Sequence, residues 1–376
     1  MSAGIYIHIP FCKSRCSYCD FATDIIQDEE SVGRYTSAVV SEIEQSAHAT
    51  SQVNSIYFGG GTPSLLSVAQ LKRIADEIDS VFKIDPDIEF TVEMNPATVT
   101  PEKLDGFRDA GVNRASFGVQ TFDETALKLL ARGHDAGDAR QTYRMLRDTG
   151  FSNISFDMIA GLPNQTLENW ERNLDEALEM NPEHLSLYVL EIHQGTPLAE
   201  QIRTRRQPLP DEDLAGEMYS LMQEKLNKAG YVQYEISNFA KPGFEARHNN
   251  KYWKMEPVFG FGVSAHSFDG VNRRWANYRD TNQYVTAIET GQTSVATYET
   301  LEDKQLAGEF AFLNLRLIDG LNLGVYESRF GHSLIDAYKP ELENLEKLDL
   351  IAISGNSVVL TRKGMLFSNE VFEVFV

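Results

Sequence analysis

Cys12, Cys16 and Cys19 are the chain's three cysteines, and they fall within eight residues in a C-x3-C-x2-C spacing. Clustered thiolates are the donors that soft metal ions and iron–sulfur clusters prefer, and an odd count argues against a disulfide framework. Three thiolates cannot complete a four-ligand site, whether structural zinc or an all-cysteine iron–sulfur cluster. One coordination position must be open or be filled by something else. The blander alternatives are a Cys3His zinc site that uses nearby His8, and a set of unligated buried cysteines.

Short β-branched and aromatic runs at Ile5–Ile9, Ser55–Phe58, Ile88–Glu93, Arg114–Val119, Ile154–Ile159 and Leu185–Leu190 read as strands. Helical periodicity fills the intervals at Ser31–Ala47, Ser67–Phe82, Pro101–Ala110, Asp123–Leu130, Ala136–Thr149 and Leu167–Glu179. Several of these helices open on Ser, Thr, Pro or Asp. Six β-α repeats at this spacing require parallel strands joined by right-handed crossovers. The chemistry-bearing residues follow the strands. The cysteine loop follows the first and Gly59-Gly60-Gly61-Thr62-Pro63 the second; Glu93-Met94-Asn95-Pro96 ends the third and Gly118-Val119-Gln120 the fourth. Asp157 with Gly161-Leu162-Pro163 closes the fifth. In a barrel these positions converge on the carboxyl face, where ligands bind. Six units rather than eight leave the barrel incomplete and its side open.

With 376 residues the chain is long enough for two domains, or for one α/β barrel with an appendage. Its net charge of −21 repels phosphate backbones and anionic headgroups, so nucleic acid is not an expected partner. No stretch has the length and apolarity of a spanning helix, and Met1 to Pro10 lacks a secretory signal, so the expected compartment is the reducing cytoplasm. From about Pro208 the rhythm changes. A Pro- and Asp-rich link leads into a helix at Leu214–Ala229, then a loop-rich stretch from Tyr231 to Asn282. After Leu301 come an amphipathic helix to about Leu315, a helix near Leu334–Lys347, and strands Leu350–Ser354 and Ser357–Thr361 around Gly355-Asn356. The expected organisation is α/β: a core over residues 1–230, a connecting region over 231–300, and a smaller α+β, winged-helix-like domain over 301–376. That tail carries seven basic against twelve acidic residues and no basic stripe, so a DNA-binding wing is not the expected reading.

The segment from Tyr6 to Phe21, YIHIPFCKSRCSYCDF, resembles the start of a radical S-adenosylmethionine (SAM) protein. With the GGGTP loop, the Gly118-Val119-Gln120 turn and Asp157 to Pro163, the likeness runs through the barrel into the tail. It resembles the oxygen-independent coproporphyrinogen oxidase group, and within it the haem-chaperone branch. The resemblance implies a partial (β/α)6 TIM-like barrel and a [4Fe-4S] cluster on Cys12, Cys16 and Cys19, with SAM on the fourth iron. It implies that Gly60, Gly61 and Thr62 receive the methionine amino end and that Arg132 pairs with its carboxylate. Glu93, Gln120 and Asp157 would supply acceptors, and Tyr6 and Tyr18 would flank cluster and adenine. Taken alone, Gly59–Gly61 is also compatible with a tight turn, since no phosphate-loop Lys-Ser/Thr follows.

Two features differ from the oxidase branch: Phe21 stands where those enzymes resemble C-x3-C-x2-C-x-C, and the chain begins only a few residues before its first strand. Arg247-His248-Asn249-Asn250-Lys251-Tyr252-Trp253 resembles an HNxxYW haem-binding motif. Haem needs an axial imidazole or thiolate and apolar planes, which His248, Tyr252 and Trp253 can supply. His266, in the Gly260–His266 segment, is the rival ligand. That segment imitates a dinucleotide fingerprint but does not open a βαβ unit. His134, His184, His193 and His332 read as structural. The expected cofactors are the [4Fe-4S] cluster, SAM and haem. The expected role is delivery of haem to acceptors such as respiratory membrane proteins, by a cytoplasmic chain touching the membrane transiently, with a homodimer compatible. The alternative is a radical SAM oxidoreductase acting on a tetrapyrrole.

Overall fold

The computed structural model describes residues 2–46, 48 and 51–376. Six parallel strands run in sequence order: β1 (Ala3–Ile9), β2 (Gln52–Gly60), β3 (Lys83–Met94), β4 (Arg114–Gln120), β5 (Ile154–Ala160) and β6 (His184–Val189). The crossovers carry α1 (Glu29–Glu44), α2 (Val68–Val81), α3 (Pro101–Asp109), α4 (Glu124–Leu129), α5 (Ala136–Asp148) and α6 (Leu167–Met180). Each opens on a side-chain cap, from Asp28, Ser67, Thr100, Asp123, Asp135 and Thr166 respectively. The α/β barrel read from the sequence is thus the observed fold; the expected end of the first helix at Ala47 lies outside the described residues.

Alternation along the strands decides where a ligand fits. On β4, Ala115, Phe117 and Val119 pack into the main hydrophobic core, whereas Arg114, Ser116, Gly118 and Gln120 line a central cavity. On β5, Phe156 and Met158 pack outward and Asp157 faces in; on β3, Phe90 and Val92 pack outward and Glu93 faces in. A closed barrel fills its interior with branched apolar side chains. This one lines its interior with polar groups, which need a polar ligand or water to satisfy them.

The stretch 231–300 is richer in regular structure than its composition suggests. Strand Val258–Phe261 pairs in parallel with the free edge of β1 and is followed by antiparallel strands His266–Phe268, Arg273–Asn277 and Val295–Thr300. Asn238–Ala240 and Val232–Gln233 extend the other edge, beyond β6. Strands of two to six residues broken by glycines 260, 262 and 270 carry too few alternations to be read beforehand. Glu42 of α1 ties this extension down, accepting from Gly262 N (2.8 Å), Asn277 Nδ2 (2.6 Å), Tyr284 Oη (2.6 Å) and Ser294 Oγ (2.7 Å).

After helix α7 (Glu212–Lys228), the chain ends in a second hydrophobic core that gathers Leu306, Phe310, Tyr326, Leu345, Val358 and Phe375 around a three-stranded sheet. The helix expected near Leu334–Lys347 is two, Leu334–Ala337 and Lys339–Lys347, because Pro340 opens a new first turn. Among the described residues no helix is long and apolar enough to cross a membrane.

Candidate functional site

The cysteine loop is clamped by backbone bonds at both ends and in the middle. Asp24 N donates to Pro10 O (2.8 Å), Ile26 N to Cys12 O (3.0 Å), Ser17 N to Leu130 O (2.9 Å) and Leu198 N to Ser17 O (2.8 Å). The glycines of the β2 loop seat its start. Gly61 N donates to Ile9 O at 2.8 Å, and a Cβ on Gly61 would lie 2.6 Å from Pro10 O. Gly60 has φ +112°, and a Cβ there would meet the His8 ring at 2.7 Å. The tight-turn reading therefore holds as far as it goes, and the turn exists to bring two loops into backbone contact.

All three thiols line one cavity of about 1830 Å³ at the carboxyl mouth of the barrel. Burial pushes the Cys12 thiol up to about 11, and that of Cys19 upward, so thiolates in these places need a cation beside them. His8 is not a fourth ligand to a zinc ion here: its Nε2 lies 2.8 Å from Ala22 O and its Nδ1 3.1 Å from Tyr6 Oη. Among the described residues no group of three His, Cys, Asp or Glu side chains is placed to hold a single metal ion. The donor set fits a multi-iron cluster, to which each thiolate gives one bond to a separate iron.

Around the thiols the remaining side chains interlock. Thr62 Oγ1 is 3.6 Å from Cys12 Sγ and accepts from Asn95 Nδ2 at 2.8 Å. Arg132, turned inward after a left-handed Ala131, donates from Nη2 to Asn95 Oδ1 (2.5 Å) and Gly118 O (2.8 Å), and its Nη1 is 3.5 Å from Cys16 Sγ. Its Nε is buried without a partner. Gly118 is needed at this convergence, because a Cβ would fall 3.1–3.2 Å from Asn95, Gln120 and Arg132. Gln120 is itself left-handed (φ +65°), a conformation that a non-glycine residue holds only when its surroundings demand it. Glu93 accepts from Tyr57 Oη (2.7 Å) and Gly60 N (3.1 Å). Burial pushes Glu93 up to about 7 and Asp157 up to about 6.

The cavity thus gathers Cys12, Cys16, Cys19, Tyr18, Gly60, Gly61, Thr62, Glu93, Gln120, Arg132 and Asp157 of the expected set, along with Trp253. Tyr6 is not on its wall; it stacks on Tyr57 at 6.2 Å with its hydroxyl on His8. Asn95 went unrecognised as a site residue because an asparagine before proline reads as a turn. Arg114 and Ser116 also went unrecognised, though the period of two in β4 carried their signal.

The HNxxYW segment forms helix Arg247–Trp253, whose first amides are capped by Glu89, with Arg247 N at 2.8 Å and His248 N at 2.9 Å from its carboxylate. His248 is buried, with Nδ1 3.0 Å from Ser55 Oγ and Nε2 3.2 Å from Tyr252 Oη, and it stacks on Tyr57 at 5.2 Å. Burial, with help from Lys251 and Arg114, pushes its imidazole down to about 3, so it is neutral at any working pH. Tyr252 is exposed over 38% of its surface, and neither it nor His248 is on the cavity wall, which the segment reaches through Asn249 and Trp253. Trp253 does line the cavity, under the Arg316 guanidinium at 4.4 Å, with its Nε1 buried and unpartnered. His266 is exposed and is not on the cavity wall.

Comparison with known proteins agrees with this geometry. Residues 6–177 match the Radical SAM superfamily and residues 301–367 the HemN C-terminal domain. A protein of Bacillus subtilis named heme chaperone HemW is 39% identical over 99% of this chain and 98% of its own length. One of the same name from Escherichia coli is 32% identical over 99% and 98%. The solved structure of coproporphyrinogen III oxidase from Escherichia coli, a radical SAM enzyme, covers 100% of this chain and 90% of its own at TM-score 0.86 and 24% identity, a likeness of fold. Together the motifs, the barrel and the full-length relatives establish that the chain belongs to the HemW family within the radical SAM superfamily.

Proposed function

We propose that this chain is a haem chaperone, holding a SAM-completed [4Fe-4S] cluster at the barrel mouth and haem in the hollow beneath, and passing haem to an acceptor protein. The observation that carries the reading is one continuous cavity of about 1830 Å³ from the three thiols to Trp253 and Arg316. That exceeds the roughly 300–1,000 Å³ of a single-ligand pocket and accommodates two ligands at once. The full-length relatives named heme chaperone support the assignment.

In this reading Cys12, Cys16 and Cys19 hold three irons. Gly60, Gly61 and Thr62 border the methionine amino end, the free Arg132 Nε meets its carboxylate, and Glu93, Gln120 and Asp157 accept from the ammonium and ribose. Tyr18 covers the cluster side, and Tyr6 acts one layer back through Tyr57 and His8. The bound cluster would supply one-electron reduction to SAM. His248, Tyr252 and Trp253 would hold haem, His248 through an imidazole nitrogen. Its Nε2 contact to Tyr252, at 3.2 Å, is longer than its Nδ1 contact to Ser55 at 3.0 Å and would have to open for Nε2 to bind haem. Acceptors would be haem-requiring respiratory membrane proteins, reached from the cytoplasm by transient contact.

Two measurements test this. Anaerobically reconstituted protein should bind haem with a Soret band, His248→Ala should weaken that binding about tenfold or more, and coproporphyrinogen should yield no protoporphyrinogen. Decarboxylation turnover would reassign the chain to tetrapyrrole oxidation. Independently, SAM carries a cationic centre, and its acceptors Glu93 and Asp157 titrate at about 7 and about 6. Both are charged at pH 8 and mostly neutral at pH 5.5, so SAM affinity should fall about tenfold or more across that window. A flat titration curve removes these carboxylates from the SAM site.

A further inference from the structure

We infer that Arg114 anchors a carboxylate of the tetrapyrrole, in the hollow below the SAM level; this rests on the haem reading above. Arg114 opens β4 and is 1% exposed, yet it lines the cavity. Its Nε is buried without a partner, and among the described residues its side chain forms no hydrogen bond or ion pair. Nε of Arg132 is unpartnered as well, but other inward-facing arginines have partners for the rest of the guanidinium. Arg132 has three partners, and Arg147 is paired with Glu183 at 2.8 Å. Glu93 and Asp157 feel its charge but are not paired with it, so the Arg114 guanidinium remains open to an anion supplied from the cavity.

The neighbouring carboxylates do not fill that role. Glu93 is committed to Tyr57 and Gly60, and Asp157 lies against Ser116 at 3.5 Å. Nor does the SAM carboxylate assigned to Arg132. Gly118, which borders Arg132, is four residues further along β4, roughly 13 Å at about 3.3 Å per residue. The strand position that carries Arg114 and the one that borders Arg132 are therefore at different heights in the barrel, although both arginines act on Asp157. A guanidinium fork matches a carboxylate bidentately. Tyr57 and Tyr188 line the same hollow, so the ligand that satisfies it joins a carboxylate to a flat apolar body. Haem with its propionates has that chemistry.

The test is a titration of the reconstituted protein with haem and with haem whose two propionates are methyl esters. Wild type should prefer the free acid by about tenfold or more, and Arg114→Gln should lose that preference, with haem affinity reduced about 10- to 100-fold. Iron content should be unchanged, and SAM affinity should fall far less than haem affinity, the residual loss reflecting the charge that Arg114 lends Glu93 and Asp157. Equal binding of acid and ester by wild type overturns this inference alone, and does so without any variant. Loss of SAM with haem retained in Arg114→Gln assigns the residue to the nucleoside and also overturns it. Wild type that takes up neither form fails the haem reading itself, and this inference with it.

Discussion

Cys16→Ala is expected to leave the protein folded and nearly iron-free, against about four irons and four sulfides per chain in reconstituted wild type. The site is already one thiolate short of a complete set, and Cys16 is the thiol beside Arg132, 3.5 Å from its Nη1. With two thiolates left, the cluster loses a second protein ligand, and no imidazole replaces it because both nitrogens of His8 are engaged. The fold should survive because the loop is held by Ser17, Pro10, Leu198 and the backbone of Cys12 rather than by the metal. Iron and labile-sulfide assays with a thermal melt check both halves. Zinc at one per chain and no labile sulfide in wild type would remove the radical SAM chemistry from this reading.

Gly61→Ala should produce nearly as large a loss by a different route. The added Cβ would lie 2.6 Å from Pro10 O, 2.7 Å from Pro10 C and 2.8 Å from Phe11 O, all of it backbone that cannot swing aside. Relief requires the strand end before Cys12 to move, which breaks the 2.8 Å bond from Gly61 N to Ile9 O and displaces the first thiol. We expect a cost of about 1–3 kcal/mol in stability, typical of overpacking, together with poor cluster retention. Gly33→Ala is the matched control. Nothing lies within 4 Å of its Cβ, and it sits inside α1, so it should stabilise by about 0.5–1 kcal/mol with iron unchanged. Full iron and an unchanged Tm in Gly61→Ala would mean that the two loops are not coupled as described.

Much of this protein was readable one residue at a time. The three thiols declared a metal centre through their type and spacing, and the six strands and six capped helices followed from local periodicity and cap chemistry. These are short-range properties, set by side chains a few positions apart. The HNxxYW segment was likewise visible, but its engagement was not. His248 meets Ser55, 193 positions away, and that contact engages one of its two ring nitrogens.

What lay beyond the sequence is consistently long-range. Strand Val258–Phe261 closes onto β1 across some 250 residues, and Asn95 became a site residue only when Thr62 and Arg132 arrived on either side of it. Arg114 reads as an ordinary strand-opening residue until the barrel wraps around it. The amino-acid order thus determined the elements and the kind of metal chemistry, since both depend on neighbours in the chain. Only the folded barrel decided which polar groups are satisfied and which are left waiting for a ligand, because desolvation and pairing are set by neighbours in space.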